Sequence, residues 1–192
     1  MTEFRPFGKI PRLFRSCVIT EKLDGTNAQV YIESSSSSGG IFSQVDDCGI
    51  FTNIYAGSRN RWINPDDDNY GFASWVVLHG EQLVKLGHGH HYGEWWGSGI
   101  NRGYNLNHRR FSLFNAIRWT TLTPPECCMV VPILYEGTFS TESVSECVDQ
   151  LRVNGSRAQP GYPNPEGVIV FHQAANAMFK VTLDNDSVPK GI

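Results

Sequence analysis

The segment from Thr20 to Asn27, written TEKLDGTN, places one lysine beside an acid and just ahead of a glycine. Lys22 ends the strand-like run VITEKL, and Gly25 marks a turn that lets the backbone approach a ligand closely. A lysine amine attacks an electrophile only after losing its proton, a loss that burial and neighbouring cations favour. The segment predicts a nucleophilic lysine or, considered alone, a surface lysine at a hairpin end.

Five later segments carry side chains suited to binding a phosphorylated ligand. A guanidinium offers a fork of donors to phosphate, a carboxylate accepts hydroxyl donors or binds a divalent metal, and an aromatic ring stacks on a base. These side chains are Arg59 in GSRNR, Glu94 in YGEWWG, Phe114 in FSLFN, Glu166 in EGVIV and Lys180 in MFKV. Each motif is short, so the indication of a binding site for a phosphorylated ligand comes from the ordered set of motifs spanning residues 22 to 180.

In order and spacing, these segments resemble the motifs of the covalent nucleotidyltransferases, the superfamily of polynucleotide ligases and RNA capping enzymes. In that family the first motif's lysine attacks the α-phosphate of ATP or GTP and holds the nucleoside monophosphate through a phosphoramide bond. The resemblance implies that Lys22 is the covalent nucleophile and that Lys180 and Glu166 are also catalytic. Lys180 would bind phosphate, and Glu166 would lie on the side of a divalent metal.

The resemblance also implies how the nucleotide is bound. Glu94 would bind the ribose, Arg59 would contact nucleotide phosphate or an RNA 5′-phosphate, and Phe114 would stack on the purine, with Phe111 as the alternative register. The predicted contacts are Glu21, Leu23, Asn27, Arg59, Glu94, Phe114, Glu166 and Lys180. Without the resemblance, Phe114 is expected in the core, Glu94 in a salt bridge and Glu166 at a solvated strand end.

Asn27 and the segment GEWWGSGINRGY are similar to a group of phage and bacterial RNA ligases, whereas DNA ligases and capping enzymes usually carry arginine at the position of Asn27. The expected activity is therefore ATP-dependent joining of 5′-phosphate and 3′-hydroxyl RNA ends through a lysyl-AMP and an RNA-adenylate, with ATP and Mg²⁺ (or Mn²⁺) as cofactors. The alternatives are a nick-sealing DNA ligase, a capping guanylyltransferase and a catalytically silent nucleic-acid-binding module. An additional RNA-binding partner is left open, and no membrane partner is expected.

Some positions depart from the family pattern or allow more than one role. The family's last motif often carries a second lysine, but Met178 and Thr182 stand on either side of Lys180. Asn115 stands where an aspartate commonly follows the stacking aromatic. Asp24 is expected either to orient Lys22 or to serve as a turn residue.

Two basic clusters lie outside the motifs. Ahead of the first motif, the basic residues would meet the leaving pyrophosphate or the RNA backbone, or form a solvated face; they are Lys9, Arg12 and Arg15. A second cluster combines basic and aromatic residues, which suits single-stranded nucleic acid. Its members are Arg102, Arg109 and Arg110, with Tyr104 and Trp96 near them in sequence.

The composition indicates one folded intracellular domain. The chain has 192 residues, of which 40% are hydrophobic and 18% charged. Its net charge of -3 gives no overall basic field, so nucleic-acid contact must depend on a local patch. Five cysteines without CxxC spacing suggest neither a disulfide framework nor a zinc site. The N-terminus lacks the apolar stretch of a secretory signal, so we expect a cytoplasmic, reducing location, with the gene carried by a phage or a cell.

Period-2 alternation predicts many strands and few helices. The strand-like runs are CVITEKL, AQVYIE, GIFTNIY, HHYGEWW, RFSLFNAIRW, MVVPILYEG, GVIVFH and AMFKVTL. Helical patterns run from Tyr70 to Leu86, with capping candidates at 66–69, and from Ser143 to Leu151, with Ser143 as the cap. Residues 155–165, rich in Gly and Pro, predict a mobile connector.

These patterns predict an α+β fold built on antiparallel sheets. The resemblance makes it the nucleotidyltransferase (ATP-grasp-like) fold, in which two antiparallel β-sheets with flanking helices surround a nucleotide cleft. We expect residues 1–192 to form a single adenylyltransferase domain without a C-terminal OB domain, because only twelve residues follow Lys180.

Overall fold

Two β-sheets and a few helices make up the protein, whose structure is a computed structural model describing residues 2–184. The strands are β1 (Ser16–Lys22), β2 (Thr26–Ser35), β3 (Phe42–Val45), β4 (Phe51–Ser58), β5 (Trp62–Ile63), β6 (Gly89–Gly97), β7 (Arg109–Leu113), β8 (Cys128–Val130), β9 (Ile133–Thr138), β10 (Gly167–His172) and β11 (Ala177–Thr182). The α-helices are α1 (Phe72–Leu78), α2 (Gly80–Leu83), α3 (Ala116–Thr121) and α4 (Thr141–Asn154). Short 3-10 helices cover Val84–Leu86, Gly103–Asn105 and Gln173–Ala175.

The larger sheet has the strand order β3-β4-β2-β6-β7-β8, with β5 beside β4, and the smaller has the order β11-β10-β1-β9. The prediction of an α+β fold with two sheets and few helices is confirmed. The prediction that the sheets are wholly antiparallel is wrong, because β7 and β8 are parallel. The run MVVPILYEG is divided at Pro132, so that β8 and β9 lie in different sheets. Proline has no N–H for a ladder, and the Pro132 carbonyl instead accepts from the Glu21 amide.

Helices cover one face of each sheet. Residues of α1 and α2 pack with the larger sheet in one core, where Phe72, Val76 and Leu83 are fully buried. Helix α4 packs on the smaller sheet, where Cys147 and Leu151 contact the core side of β1 and β10. A third core joins the two sheets at the ends of β1 and β6; it contains Leu23, Trp96, Tyr104, Ala116, Val131 and Tyr162. The other face of each sheet is therefore available to line a cleft.

The helices differ in extent from the sequence patterns. The single helix expected over 70–86 breaks at His79, and Gly80 is close enough to β3 that a Cβ there would collide with the Phe42 ring. Asp68, within the predicted capping segment, accepts from the Ala73 amide at 2.7 Å. None of the helices in residues 2–184 is both long enough and apolar enough to cross a membrane.

Two other predicted boundaries are wrong. Helix α4 begins earlier than expected, because the Ser140 hydroxyl, and not that of Ser143, accepts from the first turn at the Ser143 amide (3.0 Å). The run RFSLFNAIRW is a strand only as far as Leu113, and α3 follows because the Asn115 side chain caps it by accepting from the Arg118 amide. Residues 185–192 lie outside the described part, so the prediction about the C-terminal end stays a prediction.

Candidate active site

Lys22 and Glu166 form an ion pair at the end of the smaller sheet. Lys22 is the last residue of β1 and lies opposite Gly167, the first residue of β10, so that Glu166 is brought beside it. The Lys22 Nζ donates to Glu166 Oε2. The two side chains are 22% and 18% exposed, so the amine is partly sheltered yet reachable from solvent. A side chain at position 167 would collide with the Val181 carbonyl, which is why glycine stands there.

Lys180 lies on the same face of this sheet as Lys22. Directly opposed residues of antiparallel strands point to one face. Gly167 pairs with both Lys22 and Thr182, and Ile169, two residues further along β10, pairs with Lys180. Lys180 is exposed on this face, where the Thr182 hydroxyl donates to the Asp184 carbonyl (2.9 Å). Residues Lys22 and Lys180 therefore share one side of the cleft.

Glu94 is the buried acid of the facing sheet. Its carboxylate accepts from the Gly25 amide at 3.1 Å and from Asn27 Nδ2 at 3.0 Å, and the Asn27 Oδ1 in turn accepts from Arg59 Nε at 2.8 Å. Burial raises the pKa of Glu94 to about 7, although the Asn27 hydrogen bond and the Lys22 charge act in the opposite direction. A carboxyl group with these neighbours connects the motif turn to Arg59 across three strands.

The turn that follows Lys22 is held by the loop between β6 and β7. The Asp24 carboxylate accepts from Asn101 Nδ2 at 2.9 Å and from Arg102 Nε at 3.0 Å, and the Asp24 amide donates to the Tyr104 hydroxyl at 2.9 Å. Asp24 is thus bonded to this loop, and the expectation that it serves the turn fits better than a direct contact with Lys22. Glycine and asparagine suit this loop because Gly99, Asn101 and Gly103 have positive φ.

Glu21 and Leu23 turn their side chains away from the cleft. The Glu21 carboxylate is 1% exposed and accepts from Ser156 Oγ (2.6 Å) and from the amides of Arg157 and Ala158 (2.8 Å each). Its burial raises its pKa. Leu23 is buried in the third core. Any nucleotide contact of these two residues is therefore left to their backbone groups.

The contacts of Glu21 also correct the prediction of a mobile connector over residues 155–165. Three donors of the segment, at positions 156–158, bind one buried carboxylate, and Tyr162 packs in the third core. A segment with these bonds is fixed to β1. Its Gly and Pro content reflects tight turns, including Gly155 at φ 77, and not freedom of movement.

Phe114 and Phe111 lie on opposite faces of the larger sheet. Phe111 is fully buried, with its ring 5.0 Å from that of Phe72, so it has no face for a base and the alternative register is wrong. Phe114 follows β7 and is 40% exposed, and its amide donates to the Tyr92 carbonyl at 2.9 Å. Since Ser112 pairs with Glu94, Phe114 lies on the same face as Glu94.

The basic cluster at the N-terminus is far from Lys22. Arg15 directly precedes β1, whereas Lys22 ends it, so the length of the strand separates them by roughly 20 Å at about 3.3 Å per residue. Lys9 and Arg12 line a depression with Ala174 and Ala175 at this remote end. The predicted contact of these residues with a pyrophosphate leaving Lys22 is therefore wrong.

The second basic cluster ties loops together and does not form an open binding surface. Arg102 binds Asp24, and Arg109 donates to the carbonyls of Ser98 and Tyr70 at 2.8 Å each. Arg110 donates to Gln159 and lies over the Trp96 ring. The two aromatic members, Tyr104 and Trp96, are fully buried. The prediction of a single-stranded nucleic-acid surface at this cluster is wrong, because its arginines bind other groups of the protein and its two rings are buried.

The metal prediction depends on Glu166 alone. In the part of the chain that the structure describes, no group of three or more His, Cys, Asp or Glu side chains is arranged to hold a metal ion. Mg²⁺ keeps several waters and commonly uses one or two carboxylates together with substrate phosphates. A single carboxylate at the cleft, such as Glu166, fits that mode of binding.

Sequence reasoning missed two supports of the site. The pairing of Asn101 and Arg102 with Asp24 was not anticipated, and neither was the binding of residues 156–158 to Glu21. The density of glycine and asparagine in GSGINRG does signal a tight loop, but its partner lies about 80 residues earlier. Only the folded chain brings the two together.

Comparison with known proteins agrees with this geometry. A family model described as RNA ligase matches residues 15–182. A Naegleria gruberi RNA ligase mutant with ATP and Mn is similar to the chain, with TM-score 0.60, 18% identity and coverage of 90% of this chain and 51% of that one. The same ligase with PPi gives TM-score 0.56 and 18% identity over 87% and 49%. No curated protein sequence matches.

The chain spans about half the length of these solved ligases. At this level of identity the structural likeness establishes the shared fold and nothing finer. The family match, however, covers most of the chain and includes every motif from Lys22 to Lys180. The chain therefore belongs to the RNA ligase family.

Proposed function

We propose that this chain is the adenylyltransferase domain of an ATP-dependent RNA ligase, with the nucleotidyltransferase fold, that joins 5′-phosphate and 3′-hydroxyl RNA ends. The observation that carries the proposal is the meeting of Lys22 and Glu166 from the smaller sheet with Glu94 from the larger one, which accepts at 3.1 Å from the amide of Gly25, three residues after Lys22. The related Naegleria ligase structures with ATP, AMP or PPi support a nucleotide in this cleft.

Lys22 would carry the adenylate through three displacements. After its Nζ gives up a proton to Glu166 or to solvent, the free amine attacks the α-phosphorus of ATP, a P–N bond forms, and pyrophosphate leaves with the electrons of the broken P–O bond. A 5′-phosphate oxygen of RNA then attacks the same phosphorus and releases the lysine. Finally a 3′-hydroxyl attacks the RNA phosphate, and AMP leaves as the strand is sealed.

The side chains around Lys22 divide the work of binding and charge neutralisation. In the free protein, Glu166 holds the amine at the end of β1. Lys180, on the same sheet face, is placed to neutralise charge on the α-phosphate. Mg²⁺ or Mn²⁺, bound through Glu166 and the phosphates, would further offset phosphate charge.

The facing sheet would bind the nucleoside. Glu94 accepts hydrogen bonds and suits a ribose hydroxyl, and Phe114 offers an exposed ring on the same face for the adenine. Arg59 reaches Asn27 through Nε, so the outer edge of its guanidinium is directed to the cleft border, where phosphate of the nucleotide or of the RNA would lie.

The test is covalent labelling. The protein is incubated with α-labelled ATP or GTP and a divalent metal, denatured, and analysed for label and by intact mass. We expect an acid-labile AMP adduct from ATP, located at Lys22 and lost in Lys22→Ala. Lys85→Ala, which removes an exposed lysine outside the cleft, is the matched control and should label normally.

Each other outcome contradicts part of the proposal. Label from GTP alone would make the chain a capping enzyme. An adduct that persists in Lys22→Ala would place the nucleophile elsewhere. Normal adduct formation with sealing of DNA ends but not of RNA ends would make the substrate DNA, so the labelled protein is also offered matched 5′-phosphorylated RNA and DNA.

A further inference from the structure

Five aromatic side chains lie side by side on the larger sheet, beyond the candidate active site. We call them the aromatic platform: Tyr31, Tyr55, Trp62, His90 and Tyr92. Tyr92 opens the YGEWWG segment, but none of the five is among the predicted site residues. Trp62 and Tyr92 are 51% and 54% exposed, which is high for rings of their size.

The strand register places the platform on the same face as Glu94. Along β2 and β6, Asn27 pairs with Glu94, and four residues further along β2, Tyr31 pairs with His90. An even number of residues along a strand returns to the same face. Tyr55 pairs with Tyr31 on the other side.

The remaining two members follow from their neighbours. Tyr92 precedes Glu94 by two residues in β6 and so shares its face. In β5, Ile63 is buried in the core that holds α1 and α2, so Trp62 points to the opposite side. All five rings therefore face away from those two helices, on the side where the cleft opens.

The rings are packed into a continuous surface. Tyr31 stacks on His90 with centroids 4.4 Å apart, and His90 is nearly parallel to Tyr92, at 5.7 Å and 7°. Trp62 lies 5.8 Å from Tyr55 and 6.4 Å from His90, at 20° to the latter. The surface begins two residues from Glu94 and ends about four residues away, which corresponds to roughly 7 to 13 Å along the strands.

Hydrogen bonds hold the rings in place without a ligand. The hydroxyls of Tyr31 and Tyr55 donate to the two oxygens of Glu33, at 3.0 Å each. His90 Nδ1 and Gln29 Oε1 are 3.0 Å apart. A surface fixed in advance loses little conformational entropy when a flat ligand stacks on it.

We propose that the aromatic platform binds unpaired nucleobases of single-stranded RNA next to the end being joined. The inference rests on the proposed function, because a ligase must bring an RNA end to the adenylate on Lys22. The strand then has to leave the cleft, and the platform continues from Glu94 and Phe114 on one sheet face. Aromatic faces accept any base by stacking, whereas paired bases of a duplex have no free face to offer.

The charges at the two ends of the platform fit a strand that enters from the active site. Arg59 lies at the near border, bonded to Asn27, where a phosphate is attracted. Glu33 lies at the far border and repels phosphate. Asn27 and Glu33 are six residues apart in β2, roughly 20 Å at about 3.3 Å per residue, so the platform accommodates a short run of bases and not a long tract.

The experiment measures whether removing a platform ring and removing an RNA base weaken binding through the same contact. A short 5′-phosphorylated single-stranded RNA, labelled and blocked against sealing, is titrated with the whole chain and with Tyr92→Ala and Trp62→Ala. The same RNA carrying one abasic nucleotide, moved stepwise from either end, is titrated in parallel. Phe7→Ala, which removes an 89% exposed ring in the segment ahead of β1, is the control.

We expect Tyr92→Ala and Trp62→Ala each to weaken the Kd by roughly 5- to 150-fold, the range for losing one base–aromatic stack, while Phe7→Ala binds normally. An abasic nucleotide at the platform should weaken binding of the natural chain by a similar factor and have little further effect on the variants. Tyr92→Phe and Trp62→Phe, which keep a ring, should retain most of the affinity and also serve if an alanine variant fails to fold.

Lysyl-AMP formation from ATP without RNA separates the two proposals. If the platform variants match the natural chain both in adduct formation and in RNA binding, the platform proposal is wrong and the ligase proposal stands. If abasic RNA and variants weaken binding additively, the rings act through the fold and the platform proposal is again wrong. If no adduct forms while the coupling is present, the ligase chemistry fails and the RNA platform remains. A matched RNA duplex is titrated alongside. If the platform variants bind single-stranded RNA normally but bind the duplex more weakly than the natural chain does, the platform has another occupant and the proposal is wrong.

Discussion

Glu94→Gln should change how the stability of the protein depends on pH. In the folded protein, burial raises the pKa of Glu94 from 4.5 to about 7. The folded chain therefore keeps this proton in an interval where the unfolded chain has lost it, and unfolding releases protons there. Stability consequently falls as the pH rises from about 4.5 to about 7, and it levels off above that range.

The size of the effect follows from the two pKa values. Their difference, 7 minus 4.5, corresponds to about 3 kcal/mol at 1.36 kcal/mol per pKa unit. Because the unfolded carboxyl is already partly ionised at about pH 5, the loss between about pH 5 and about pH 8 is about 2.5 kcal/mol. Glutamine does not titrate, so the Glu94→Gln variant lacks this contribution.

The measurement is urea unfolding of both proteins at several pH values across that interval. Glutamine can accept only one of the two hydrogen bonds that Gly25 and Asn27 donate, which shifts the whole curve by a constant. The difference between the two curves should nevertheless change by about 2.5 kcal/mol as the pH rises. Other titrating groups, such as His91, whose pKa burial lowers, cancel in that difference.

Glu81→Gln, which removes an exposed glutamate of α2, is the matched control and should run parallel to the natural chain. Parallel curves for Glu94→Gln and the natural chain would refute the reasoning, because they would mean that burial does not hold the proton on Glu94. A natural chain that becomes more stable relative to Glu94→Gln as the pH rises would refute it as well.

Two further variants test the supports of the site. Glu21→Ala should lower the free energy of unfolding by about 2–4 kcal/mol in urea, because the donors at 156–158 lose their shared acceptor; a loss below about 0.5 kcal/mol would contradict this. Arg102→Ala should slow lysyl-AMP formation by roughly 10- to 100-fold with little change in the KM for ATP, because Asp24 no longer holds the turn after Lys22, and Arg102→Lys should recover part of the rate. An unchanged rate in Arg102→Ala would show that the Arg102–Asp24 ion pair does not position Lys22.

Local sequence patterns determined the β-rich class of the protein and the order of its motifs. The resemblance of the motifs to those of a known family singled out Lys22, Glu94 and Lys180, and the alternation of neighbouring side chains placed each of them in a strand-like run. Period-2 alternation also shows that Phe111 and Phe114 face opposite sides of β7 if the strand continues, but it does not show which side is covered.

The tertiary structure alone decided which of these side chains can meet a ligand. The helices α1 and α2 bury Phe111 and leave Phe114 exposed, although their residues lie roughly 30 to 40 positions earlier in sequence. Glu21 and Glu166 are both acids near Lys22 in the fold. Glu21 accepts hydrogen bonds from the loop at 156–158, whereas Glu166 pairs with the Lys22 amine. Pro132 divides one apolar run between two sheets.

The physical reason is the range of the interactions. Strand propensity, turns and caps depend on residues a few positions apart, so sequence alone specifies them. The Lys22–Glu166 pair joins residues 144 positions apart, and the aromatic platform collects rings from four strands. Burial, charge pairing and the choice of open face are properties of surfaces that exist only once the two sheets have formed and packed.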